Sequence, residues 1–289
     1  MKKKKYWNSK FGLKVLSYEP YNILLLIRMW LLVKFKFKFE NKEQDKDDDL
    51  IFEDDFTYLN RDKWRTDTYF GLRFSPDNIT KHNKAPINFW SDDNSYFNCD
   101  KSTIKMKVDN KPVDIHYIDW DGKDWGNFTI PVQSSMLDSS KSFMVKHGYF
   151  EARCKQPKSK NMWPAFWLAS TYSWPPEIDI FEVWTSHKGF TTTIHWGHDS
   201  LGNRNCRGGW VPTPKLDEDF HIYGCEWNEK VIKVYFDNIL VRVTPTPPDY
   251  IFPMQIILNN CADKLDKMND ATFPNYFEVD YVRVYKLDE

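Results

Sequence analysis

The stretch Trp174-Pro175-Pro176-Glu177-Ile178-Asp179-Ile180-Phe181-Glu182-Val183-Trp184 decides how this 289-residue chain is read. In a β-strand alternate side chains share a face, so Glu177 and Asp179 point one way and Ile178 and Ile180 the other. Regular alternation would then bring Phe181, not Glu182, to the acidic face. One extra residue in a β-bulge at Ile180–Phe181 returns Glu182 to the side of Glu177 and Asp179. The expectation is three carboxylates in a row on one face. An exposed acidic strand edge is the plainer alternative. The apolar neighbours Ile178, Ile180, Phe181 and Val183 argue for a central strand, whose carboxylates must line a cleft or be paired.

Outward from this stretch, short alternating runs are many and helical periodicity is scarce. Ile104, Met106 and Val108 alternate with lysines, and Gly148 to Lys155 alternates in the same way. Val231 to Phe236 and Ile239 to Val243 flank Asp237-Asn238, a pair that tolerates the positive φ of a tight hairpin turn. Glu278 to Tyr285 is a further strand. With 16 prolines and loops rich in Asn, Asp and Ser, the pattern predicts an all-β fold, a β-jelly-roll sandwich of two antiparallel sheets. No glycine-rich dinucleotide fingerprint, phosphate loop or nucleophile-elbow motif occurs.

Forty Lys and Arg against 41 Asp and Glu leave a net charge of -1, which argues against a nucleic-acid partner. Aromatic residues are abundant, with 13 Trp, 15 Tyr and 21 Phe. Flat rings in that number also suit stacking on sugars. The five cysteines form no CxxC pair, at least one must be free, and a Cys206–Cys261 bridge is one option. Cys154 and Cys225 read as small buried apolar groups. Residues 1–49 form a basic and apolar extension ending in a charged linker, and the main domain is placed at residues 50–289. The extension suits an atypical export signal or membrane-surface segment, an extra strand, or an arm. Its alternation from Lys34 to Phe39 has the period of a strand. The apolar run from Ile23 to Val33 is too short to span a bilayer, so no stable membrane span is expected.

The three acids point to chemistry on glycosidic bonds. One carboxylate can attack an anomeric carbon while a protonated acid supplies the leaving oxygen with a proton. Like charges on one face must also share protons unevenly, which separates these two roles.

Glu177-Ile178-Asp179-Ile180-Phe181-Glu182 resembles the bulged E-I-D-I-x-E signature of glycoside hydrolase family 16, found in laminarinase-like glucanases, agarases and carrageenases. Other segments resemble the family in order along residues 50–286. They are Asp54-Asp55-Phe56 with Trp64, His147 to Arg153 before Pro157, Met162-Trp163-Pro164-Ala165-Phe166-Trp167-Leu168, Gly224-Cys225-Glu226-Trp227, and Asp280 to Tyr285. The resemblance implies a concave substrate cleft and an endo-acting, retaining hydrolase that needs no cofactor for catalysis. It implies Glu177 as nucleophile, Glu182 as acid and base, and Asp179 as a hydrogen-bonding partner of the nucleophile.

By the same resemblance, Trp163 is expected to face the sugar and His195 to reach the carboxylates. Trp184, two residues past Glu182, shares its face beyond the bulge and either lines the cleft or caps the sandwich edge. Trp167 reads more as core. Glu53 and Asp280 are candidate ligands of a structural calcium on the far side. A polysaccharide is the expected partner, with β-1,3-glucan first and a galactan second. Arg204 and Arg207 would suit an acidic or sulfated glycan, although ordinary loop charges are the plainer reading. A monomer working outside the cell or on a cell or particle surface is expected, because its polymer lies there. A non-catalytic glycan-binding jelly roll and a transglycosylase are the competing readings.

Overall fold

The computed structural model describes residues 49–184, 189–198, 204–213 and 215–287, together with Leu24, Ile27 and Leu31. Leu24, Ile27 and Leu31 are helical and exposed. The strand expected from Lys34 to Phe39 lies outside the described residues, and β1 begins at Leu50. No helix among the described residues is long and apolar enough to cross a membrane.

Strands are numbered in chain order. One sheet runs β15 (Ile239–Pro245), β14 (Val231–Phe236), β13 (His221–Trp227), β8 (Gly148–Lys155), β17 (Asn275–Tyr285), β4 (Ile104–Val108), β3 (Phe97–Cys99). Strand β1 (Leu50–Asp54) also pairs with β17. The second sheet runs β12 (Arg204–Pro212), β11 (Gly189–His198), β10 (Glu177–Glu182), β9 (Ala165–Ala169), β16 (Gln255–Asn260), β7 (Val132–Asp138), β2 (Asn88–Trp90). Strand β2 joins β7 in parallel, so this sheet is mixed at one edge. A separate hairpin joins β5 (Val113–Ile118) to β6 (Asp124–Ile130), and the one short α-helix described after residue 49 is Asp77–His82.

The alternations in sequence become the two faces of these sheets. In β4 the residues Ile104, Met106 and Val108 are fully buried while Lys105 and Lys107 are not. Asp237 and Asn238 take φ of 47° and 64° in the turn between β14 and β15, which Asp and Asn adopt at little cost. At the domain start, Asp54 accepts hydrogen bonds from the backbone N–H of Phe56 and from Trp64 Nε1 at 2.9 and 2.8 Å. All five cysteines are free thiols, so the Cys206–Cys261 bridge does not form.

The core lies between the sheets. Ile178, Ile180 and Phe181 of β10 all point into it. The Phe181 ring touches Tyr223 and Phe277 of the opposite sheet at 4.2 and 6.0 Å between centroids, and Phe166 of its own sheet at 6.2 Å. It ties the strand that carries the acids to both layers. Phe181→Ala is therefore expected to cost about 3–5 kcal/mol of unfolding free energy in denaturant titration. A loss below about 1 kcal/mol would show that the ring is not an anchor.

Candidate active site

Sequence puts the acids on one strand, and the bulge puts them on one face. Against β11 the register pairs Glu177 with His195, Asp179 with Thr193 and Glu182 with Thr191, so two residues of β10 oppose Thr192. Against β9 the same slip falls between Asp179 and Phe181. Two consecutive apolar side chains, Ile180 and Phe181, consequently enter the core, and Glu182 returns to the face of Glu177 and Asp179. Thr192 Oγ1 donates to the carbonyl of Asp179 at 2.9 Å and holds the irregular point. The phenol of Tyr250 lies 2.7 Å from the carbonyl of Glu177 and 2.9 Å from that of His195. It fastens the β10 and β11 backbones beside the first acid.

His195 Nε2 lies 3.0 Å from Asp179 Oδ2 and 3.3 Å from Glu177 Oε1. The ligand atoms of these three residues fall within 4.8 Å of one another, close enough to hold a metal ion. The same closeness serves proton sharing, with the imidazole hydrogen-bonded to Asp179 and with Glu177 just beyond. His195, expected to reach the acids, thus sits between Glu177 and Asp179. Cys206 lies across the ladder from His195, which holds its thiol below the usual range.

Burial drives the acid–base character of the group. Asp179 is raised well above the ordinary carboxylate range, first by burial and then by the charge of Glu177, with Arg204 opposing. Glu182 is raised well above it too, by burial and by Asp179 and Glu177, with His195 and the Trp163 N–H opposing. Both are therefore biased to hold a proton.

Trp163 lies just before β9 and donates from Nε1 to Glu182 Oε1 at 3.1 Å. Its ring stacks on Trp184, with centroids 4.5 Å apart, and Trp184 donates in turn to Thr191 at 3.2 Å. The two candidate cleft tryptophans thus form one stacked pair beside Glu182. Trp167 departs from expectation. It packs with Trp90 against Met136, Ala169 and Ile257, outside the main core, and donates to Asn259 at 2.8 Å. The reason is register, since Trp167 faces Asp179 across the ladder and so shares its side of the sheet.

Three neighbours carried no assigned role in the sequence: Trp174, Tyr250 and Asn259. Trp174 Nε1 donates to Glu177 Oε2 at 2.7 Å, and Arg204 lies 4.8 Å over its ring. Asn259 donates to the carbonyl of Trp163 at 3.1 Å. Only the spacing of Trp174 from Glu177 was visible beforehand. Arg207 lies 5.8 Å over the ring of Trp196. The two residues named for calcium, Glu53 and Asp280, each carry an arginine partner. Glu53 accepts from Arg283 at 2.8 Å, and Asp280 pairs with Arg153. Each carboxylate already faces a guanidinium.

Comparison with known proteins agrees with this geometry. Residues 87–283 match the family described as Glycosyl hydrolases family 16, and the chain belongs to that family. It is 32% identical over 162 residues to the Endo-1,3-1,4-beta-glycanase ExsH of Rhizobium meliloti (strain 1021), covering 54% of this chain and 34% of that protein. It is 28% identical over 267 residues to the Glucan endo-1,3-beta-glucosidase A1 of Niallia circulans, covering 82% of this chain and 38% of that protein. The chain thus spans little more than a third of the length of either relative. The fold is that of LamAcat from Zobellia galactanivorans, with a TM-score of 0.64 and 24% identity over 82% of this chain and 98% of that one.

The raised acids have a thermodynamic consequence whose sign is fixed. A carboxyl raised in the folded state binds more protons there than in the unfolded chain. Its contribution is full below about pH 4 and declines as pH rises toward the raised value. Asp138, pushed up to about 6 by burial, adds to this between about pH 4 and 6. Glu182→Gln should therefore raise stability at pH 8 by about 1–2 kcal/mol, a gain that vanishes near pH 4. Thermal melts across that range check it, and a gain that grows toward low pH would contradict it.

Proposed function

We propose that this chain is an endo-acting, retaining glycoside hydrolase whose polymer is a β-1,3-linked glucan. The observation that carries the reading is the bulged strand, which gathers Glu177, Asp179 and Glu182 on one face with Glu182 biased to hold a proton. Family membership, and the names of the two relatives, an endo-1,3-1,4-beta-glycanase and a glucan endo-1,3-beta-glucosidase, support it. On this reading the carboxylates supply the chemistry and no cofactor is needed.

A Glu177 oxygen attacks the anomeric carbon, the bond to the leaving oxygen breaks, and that oxygen takes the proton of Glu182. Glycosylation removes the charge of Glu177. The electrostatic pressure on Glu182 then falls, so its carboxylate can draw a proton from water. The water oxygen attacks the same carbon and frees Glu177. Two inversions leave the configuration unchanged. Asp179 and His195 keep Glu177 in place and limit how many charges the face carries. Such an enzyme meets its polymer outside the cell or at a surface.

Arg204, over Trp174 and close enough to oppose the shift of Asp179, favours a second reading, an acidic or sulfated galactan. A reducing-end assay against laminarin, lichenan, agarose, porphyran, carrageenans and keratan sulfate decides between them. Laminarin is expected to be cleaved, with the activity abolished in Glu177→Gln. Glu182→Gln should lower kcat by about 100- to 10,000-fold on substrates that need leaving-group protonation. Tight binding to one polymer with no cleavage would instead support a glycan-binding module.

A further inference from the structure

We propose that Trp174 is a positioning residue for Glu177, clamped in that role by Arg204; the proposal rests on the glycosidase reading above. Trp174 precedes β10 in a loop, and half of its surface is exposed. An exposed indole ordinarily leaves its N–H to water. This one donates to Glu177 Oε2 at 2.7 Å, at the short end of the range for such a bond. The other oxygen of Glu177 faces His195 Nε2 at 3.3 Å. The carboxyl is therefore held from both sides, by a ring that belongs to the loop and a ring that belongs to β11.

A donor on one oxygen and a ring nitrogen packed beside the other do what neither does alone. They fix the rotation of the carboxyl plane, so the same geometry is presented at each encounter with an anomeric carbon. Arg204 begins β12 and lies 4.8 Å over the Trp174 ring. Its cation attracts the π face and restrains the indole where an exposed side chain would otherwise sample other rotamers. Trp163 does the matching job on Glu182, at 3.1 Å. Each of the two outer carboxyls thus receives one indole N–H, and the loop residue is the one that no strand register holds.

The decisive variant is Trp174→Phe, which keeps a ring and removes the donor. A positioning role predicts a fall of about 10- to 100-fold in kcat, matching the loss of one hydrogen bond to a charged group, with KM changed by less than about threefold. The rate of covalent labelling by a 2-deoxy-2-fluoro laminaribiosyl fluoride should fall with kcat. Arg204→Met should give a smaller loss in the same direction. A sugar platform would instead raise KM and leave kcat alone, which would overturn the proposal.

A second readout stands apart from activity. In ¹⁵N-Trp spectra the indole signal missing from Trp174→Phe should move in Glu177→Gln, because the acceptor there is neutral. An unmoved signal would overturn the hydrogen bond even in an active enzyme. Wild-type protein inactive on every polymer and inert to the label would sink the glycosidase reading and the nucleophile with it, while the indole signal would still decide the contact.

Discussion

Three carboxylates cannot share one buried face as three charges, and the site is organised around that constraint. Burial penalises every charge, and each neighbour penalises the next. The face answers with unequal environments. Glu177 receives the Trp174 N–H and has the His195 ring beside it, whereas burial and two acidic neighbours press Glu182 toward its protonated form. A nucleophile and an acid need that asymmetry, and on this strand it arises from position and neighbours, since both residues are glutamates.

The sandwich exists to make this tolerable. Ile178, Ile180 and Phe181 bury on the reverse of the same strand, and Phe181 reaches Tyr223 and Phe277 in the opposite layer. The apolar side fixes the strand so firmly that its acidic side cannot relax away from the mutual repulsion. Thr192 secures the backbone at the bulge, and Tyr250 fastens it beside Glu177. The result trades stability for chemistry, as sites of this kind commonly do.

Much of this could be read from residue order. Period-two alternation located β4, β8, β14, β15 and β17, and the odd, three-residue spacing of Glu182 from Asp179 announced the bulge. Apart from His195, which the family resemblance placed near the acids, what could not be read was what depends on distant segments meeting. Trp167 appeared to be core because an aromatic in an apolar strand usually is, yet register turned it to the acidic side. Trp174 follows no periodicity, so its bond to Glu177 depends on a loop path that local propensity does not encode. The arginine partners of Glu53 and Asp280, Arg283 and Arg153, belong to other strand positions and could not be read either.

The central claim is that proximity on one buried face, rather than residue type, makes Glu182 the acid. Carbon-13 NMR titration of the Glu182 carboxyl tests it directly, in wild type and in Glu177→Gln. The account predicts a midpoint well above the ordinary glutamate value of about 4.3 in wild type, falling when the charge of Glu177 is removed. An ordinary midpoint, or a raised one that ignores Glu177, would contradict it.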